Sequence, residues 1–242
     1  NVFNEFYNFI IKQGVKNLII VVSASDIGFP IESNIDINNV NNNIIKKIYT
    51  TNYDLKQSNN FIIPIPVGID YHTVFTKNEY FEDYTRPIDQ ENKLFDIERN
   101  SKNFNNRLNM TYSFFHINNN TEDRLNAINF LETKQFNIFQ KDIMNRIDTW
   151  NEMIKYKWII SPRGNGLDCS RTYEAIVLGC IPVVKTSTLD ILYKDMPIII
   201  VKNWSDINIE FLKKESVNCL KKSKKMITLN YYKNIIINNK NN

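Results

Sequence analysis

The stretch KWIISPRGNGLDCSRTYEAIVLGCIPVVKTS, residues 157–187, decides the fold. KWIIS is a short apolar run of strand length, and its lack of alternation suits a strand buried on both faces. SPRGNGLDCS follows as a loop punctuated by Gly164 and Gly166. SRTYEAIVLG has helical spacing and ends at Gly179, a C-cap residue. CIPVVKT is a second strand. Strand, loop, helix and strand in that order make a parallel α/β unit, and such units place ligands at the carboxyl ends of their strands.

Working outward, the same alternation continues on both sides. LDILYKD predicts a short helix, PIIIV a strand, and Ser205 caps a final helical region. Upstream, MTYSFFHI reads as a strand. Thr121 caps a helix running to about Glu132, and another helix covers Asp148 to Tyr156. Further upstream, residues 2–13 form an amphipathic helix with Phe3, Phe6, Phe9 and Ile10 on one stripe. NLIIVVS is a buried strand, and SASDIGFP is the loop after it. Residues 36–47 read as a helix weakly capped by Asp36. KIYTT and FIIPIPV read as two more strands. The organisation expected is an α/β chain with an abbreviated N-terminal domain over 1–84, a linker or surface excursion over 85–106, a C-terminal domain over 107–229 and a polar tail over 230–242.

Composition narrows the function classes. The chain has 242 residues, 43% hydrophobic and 23% charged, which is ordinary for a globular protein with a packed core. The net charge of +4 suits a small anionic ligand and is too weak and dispersed to indicate nucleic acid. Cys169, Cys180 and Cys219 form neither a disulfide framework nor a CxxC metal pair. No apolar run approaches the ~20 residues of a membrane span, and no signal peptide is visible. A cytoplasmic location is therefore expected, with an anchor upstream of residue 1 left open. The sequons at Asn109, Asn119 and Asn203 are expected by chance in so Asn-rich a chain.

The Gly-containing loop carries the chemistry. Gly164 and Gly166 let backbone approach a phosphate, and Arg171 sits in the first turn of the following helix, where the dipole and a guanidinium both face an anion. Glu174, three residues on, shares that face and suits ribose hydroxyls. The bland alternative is an i,i+3 surface pair. Arg124 opens the helix after MTYSFFHI and is either a second phosphate contact or a solvated charge beside Glu122 and Asp123. Thr186 ends CIPVVKT, either at the ribose or base or in a polar turn. The dinucleotide pattern GxGxxG fails at Cys169, and the P-loop lysine is missing, so neither NAD nor a Walker-type ATP site is indicated.

The string SPRGNGLDCSRTYEAIVLGCIPVVKTSTLDILY resembles the donor-binding core of exostosin-like glycosyltransferases: P-x-G, then R-x-x-E-A, then G-C-x-P-V. Arg171, Glu174, Ala175, Gly179, Cys180, Pro182 and Val183 match. The variant with GNGLDC is similar to glycosyltransferase-like proteins of large DNA viruses and algae. The resemblance covers about residues 157–207, with fainter echoes at 19–30, 49–73 and 110–131. It implies a GT-B architecture of two Rossmann-like domains facing a cleft. It also implies a nucleoside-diphosphate-sugar donor and a glycan or glycoprotein acceptor, with inversion and no separate cofactor. Arg163, Gly164, Gly166, Arg171, Glu174, Arg124 and Thr186 become nucleotide-sugar-binding candidates. The short N-terminal half departs from the pattern. A fucosyltransferase-like GDP-sugar enzyme and an inactive nucleotide-sugar-binding module are the alternatives.

An inverting transfer needs a base opposite the donor wall. Asp70, Asp26 and His72 lie at predicted strand ends in the N-terminal half, with loop stabilisation as the plain alternative. His116 adjoins an apolar strand and reads as structural. The chain has no DxD triplet and no zinc-like spacing, so metal-independent donor binding is expected.

Overall fold

The computed structural model describes residues 2–23, 25–72, 86–115 and 122–240. Two parallel sheets form an α/β architecture. The smaller has the order β1 (Leu18–Val22), β2 (Ile45–Thr50), β3 (Ile62–Pro64). The larger runs β5 (Asn137–Phe139), β4 (Leu108–Ser113), β6 (Tyr156–Ile160), β7 (Ile181–Lys185), β8 (Ile199–Val201). Strand order therefore reverses between β4 and β6. That switch point opens a crevice at the carboxyl ends of the strands, where open α/β sheets bind ligands.

Helix α1 (Val2–Lys12) precedes β1, and α2 (Pro87–Arg99) lies before the larger sheet. Within that sheet come α3 (Glu122–Leu131), α4 (Arg146–Met153), α5 (Ser170–Val177) and α6 (Asp190–Tyr193). Two more, α7 (Ile209–Cys219) and α8 (Leu229–Lys240), follow β8. Helix α5 is wedged between the two sheets. Tyr173 and Ile176 join the core of Ile45, Ile48 and Ile62 from the smaller sheet. Ala175, on another face, packs with Tyr112 and Ile159 of the larger one. Burial on several faces explains why five consecutive residues of α5, Thr172 to Ile176, are all enclosed.

Several local expectations are corrected. Residues 36–47 are not a helix: a short 3-10 turn over Ile37–Asn39 leads into β2. Asp36 does cap that turn, accepting from the Asn38 amide at 3.0 Å. The β-branched isoleucines there serve the sheet, and sheet pairing overrides weak helical spacing. The polar stretch 85–106 holds α2, whose Leu94 is fully buried against Trp150 and Tyr112. The tail 230–242 is largely α8. On α1, Phe6 and Phe9 are exposed, while Ile10 is buried and Phe3 and Tyr7 pack beside it. The helix at 148–156 begins at Arg146 under an Asn145 cap and stops before β6. Asn208, not Ser205, caps α7. Strand β4 ends at Ser113, short of the predicted MTYSFFHI, and Thr121 lies outside the described residues.

Helix α5 ends as its sequence predicts. Gly179 has φ +75°, with its amide on the Ile176 carbonyl and the Cys180 amide on that of Ala175, a Schellman closure. A Cβ at Gly179 would also sit 3.2 Å from Arg107 Nη2. Gly179→Ala should therefore cost about 1–2 kcal/mol from the left-handed backbone alone, measurable as a lower urea midpoint at unchanged slope.

Candidate functional site

Helix α5 has differently furnished ends. Its carboxyl end is held by Arg107, which is buried and donates from Nη2 to the Leu178 carbonyl and to Ser101 Oγ, both at 2.8 Å. A cation at this end complements the helix dipole. Arg107 Nη1 also reaches Cys180 Sγ at 3.0 Å, although burial still pushes that thiol up to about 11. At the amino end, extended Cys169 is the N-cap, and its own side chain makes no cap hydrogen bond. A helix start is dipole-positive and favours anions.

Two guanidiniums converge there. Arg124, buried in the first turn of α3, donates from Nε to the Arg163 carbonyl at 3.1 Å. Its Nη2 lies 3.1 Å from where a Cβ on Gly164 would stand, so the glycine leaves room for this close approach. Arg171 brings Nη1 to 3.5 Å from Cys169 Sγ and lays its guanidinium over the Phe115 ring. Burial first, and then the charge of Arg171, hold the Arg124 pKa below the usual arginine value. Among the described residues, no carboxylate lies in ion-pair range of Arg171. The loop start is pinned by Asp123, which accepts from the Arg163 amide at 3.0 Å and from Trp204 Nε1 at 2.9 Å.

The loop is shaped from the other half of the molecule. Asp168 is enclosed, and its carboxylate accepts four hydrogen bonds: from the Val67 amide at 2.9 Å, the Cys169 amide at 2.9 Å, Tyr173 Oη at 2.5 Å and Tyr193 Oη at 2.6 Å. Its own amide donates to Asn52 Oδ1 at 2.8 Å, and Asn52 Nδ2 donates to the Ser25 carbonyl at 2.6 Å. Asn52 adopts φ +51°, and its amide packs so closely on Gly166 that a Cβ there would fall 2.9 Å from Oδ1. The segments after β1, β2 and β3 thus all meet the Gly loop. Sequence reading missed both Asp168 and Asn52. The available signal was slight: an Asn just past a strand and an Asp before a helix.

Two cavities flank the first turn of α5. The larger, about 530 Å³, lies at the ends of β6 and β7 and is bordered by Ser161, Arg163, Cys169, Lys185 and Thr186. Thr186 is engaged there, donating to Asp190 Oδ2 at 2.5 Å. The smaller, about 160 Å³, lies toward β4 and α4 and is bordered by Arg171 and Glu174. Glu174 is buried and faces Arg146 Nη2 at 3.8 Å. Arg171 and Glu174 border the smaller cavity, while Arg163 and Thr186 border the larger.

The three base candidates differ in their surroundings. Asp26 is exposed and meets the Gly loop through Asn165 Nδ2 at 3.4 Å. Asp70 is half-buried, and its backbone carbonyl accepts from Arg146 Nη1. His72 is exposed at the end of the described N-terminal segment, and His116 lies outside the described residues. Among the described residues no His/Cys/Asp/Glu cluster has the form of a metal site, and no helix is long and apolar enough to cross a membrane.

No family model and no curated protein match the chain. Among solved structures, the crystal structure of an α1,3-fucosyltransferase is similar, with a TM-score of 0.38 at 16% identity, over 78% of this chain. The matched part spans 63% of the fucosyltransferase's own length. A likeness of that degree leaves the chemistry to be argued from this chain's residues.

Burial is the largest influence on Asp168 and raises its pKa, with the donated hydrogen bonds offsetting part of the rise. A folded pKa above the unfolded one means that the stability contributed is fully present below the unfolded value. It is lost as pH rises through the folded value. Asp168→Asn lacks this titration, so the wild type's advantage over it should narrow as pH climbs from below about 3.9. Asp168→Ala should lose about 3 kcal/mol or more at any pH, because several buried donors lose their acceptor. Urea unfolding of the three proteins across pH checks both.

Proposed function

We propose that the chain is a glycosyltransferase that takes its sugar from a nucleoside-diphosphate sugar. One observation carries the reading: Arg124 and Arg171 converge on the start of α5, at the strand-order switch of a parallel sheet. Two guanidiniums and a helix dipole suit a diphosphate, whose charges relieve their mutual repulsion. The larger cavity then takes the nucleoside. The exostosin-like string over 161–193 agrees with this reading, since its R-x-x-E-A segment falls on α5.

In the transfer, the acceptor hydroxyl attacks the anomeric carbon from the side opposite the leaving diphosphate, which inverts the configuration. A base takes the hydroxyl proton as the bond forms. Arg171 and Arg124 stabilise the charge that develops on the departing phosphate, the part a metal ion plays in other transferases. Asp70 leads the base candidates, because Arg146 binds its carbonyl and also faces Glu174 in the smaller cavity. Asp26, beside Asn165, is second, and His72 third. Glycan or glycoprotein acceptors would approach from this N-terminal side.

Calorimetric titration with UDP and GDP tests the donor site. Arg171→Ala should weaken the bound nucleotide by about 1.5–3 kcal/mol, the worth of a charge-assisted hydrogen bond. Unchanged affinity in a folded variant refutes the site. Transfer assayed in the presence of a chelator should persist in the wild type and fall by about 10²–10⁴ in Asp70→Asn, with nucleotide affinity intact. Nucleotide binding with no transfer to any acceptor would instead identify a binding module.

A further inference from the structure

We infer that the smaller cavity is a subsite for one pyranose ring, its hydroxyls received by Trp150, Tyr112 and Glu174. This rests on the nucleotide-sugar reading and extends it from the diphosphate to the transferred sugar.

Two aromatic side chains bring to the cavity polar atoms that have no strong partner among the described residues. Trp150 is wholly enclosed and borders the cavity, yet its indole Nε1 has no hydrogen-bond partner among the described residues. A buried donor without an acceptor is rare, and each instance calls for a reason. Tyr112 is also wholly enclosed, and among the described residues its hydroxyl reaches only Met144 Sδ at 3.8 Å, a weak acceptor at long range. Glu174 and Arg146 face each other at 3.8 Å, too far for a direct hydrogen bond. The cavity thus offers an indole donor, a phenol, a carboxylate and guanidinium donors, set among Phe114, Met153 and Ile159. Sugar hydroxyls both donate and accept, and the ring's C–H faces suit aromatic walls.

Position and size point the same way. Arg171 borders this cavity, and Cys169 borders the larger one on the other flank of the same helix turn. A diphosphate on that turn, with its nucleoside in the larger cavity, directs its next group into the smaller. At about 160 Å³ the space is below the ~300–1,000 Å³ of drug-sized sites. It takes one ring rather than an oligosaccharide. Met144 and the 70%-exposed Ile143 form the solvent side. Displacing Met144 from the Tyr112 hydroxyl would admit the sugar.

The test compares UDP with UDP-glucose and GDP with GDP-mannose by calorimetry, on the wild type, Tyr112→Phe and Trp150→Phe. Each variant should bind the free diphosphate as the wild type does and lose about tenfold for the sugar conjugate, the loss of one hydrogen bond. Equal losses for both ligands, or no loss for either, overturn the subsite while leaving the nucleotide site standing. If the wild type binds none of the four ligands, the nucleotide reading itself falls and the subsite with it. A second readout needs no ligand. The free Tyr112→Phe protein should unfold at an unchanged or higher urea midpoint, because its hydroxyl has no strong partner to lose. A clear drop in that midpoint shows the hydroxyl committed to the fold and overturns the assignment.

Discussion

The carboxylate of Asp168 is the constraint on which the rest depends. It sits between two parallel sheets and accepts from a β3-loop amide, its neighbour's amide and two tyrosines. Taking a carboxylate out of water is costly, and donated hydrogen bonds are what make the position tenable. Each donor comes from a different place: the smaller sheet's last loop, the start of α5, the middle of α5, and α6. The Gly loop can therefore adopt its shape only when both halves are in place. Asn52 reinforces this by filling the space above Gly166 and tying the loop to Ser25.

Helix α5 then acts as a polarised strut. Its carboxyl end is answered by the buried Arg107 and closed by Gly179. Its amino end carries two more arginines, and the N-cap Cys169 makes no side-chain cap hydrogen bond. Two cations at the dipole-positive end of one short helix oppose each other and the dipole. Arg107 has clear structural partners, whereas Arg171 has a sulfur and a ring. The same helix separates the two cavities, so a ligand crossing its first turn would reach both. The short N-terminal sheet serves this arrangement by supplying loops to the Gly loop and, through Asp70, a contact to Arg146.

Burial also redirects the meaning of individual residues. Gly164 and Gly166 have the composition of a phosphate-cradling loop. In the structure the space their missing Cβ atoms leave is taken by the protein's own Arg124 and Asn52. Glu174 has the spacing of a ribose contact, yet it is buried opposite Arg146. In both cases the residue type is right for a polar site, and the partner is supplied by a distant segment.

The sequence by itself determined the strand–loop–helix–strand unit at 157–187, the C-cap at Gly179, the parallel α/β class and the first-turn placement of Arg171 and Arg124. These follow from apolar runs, helical spacing and glycine punctuation, all of which act within a few residues. The same local signals misled at 36–47, where isoleucines pair in a sheet, and at 85–106 and 230–242, where polar composition hid helices whose inward residues are few. Only the tertiary structure decided the partners of Asp168, Asn52 and Arg146. Asn52 meets Asp168 across 116 residues and Val67 meets it across 101. No local pattern records such a pairing, because a buried polar group's partners are chosen by how the sheets pack and not by its neighbours in the chain.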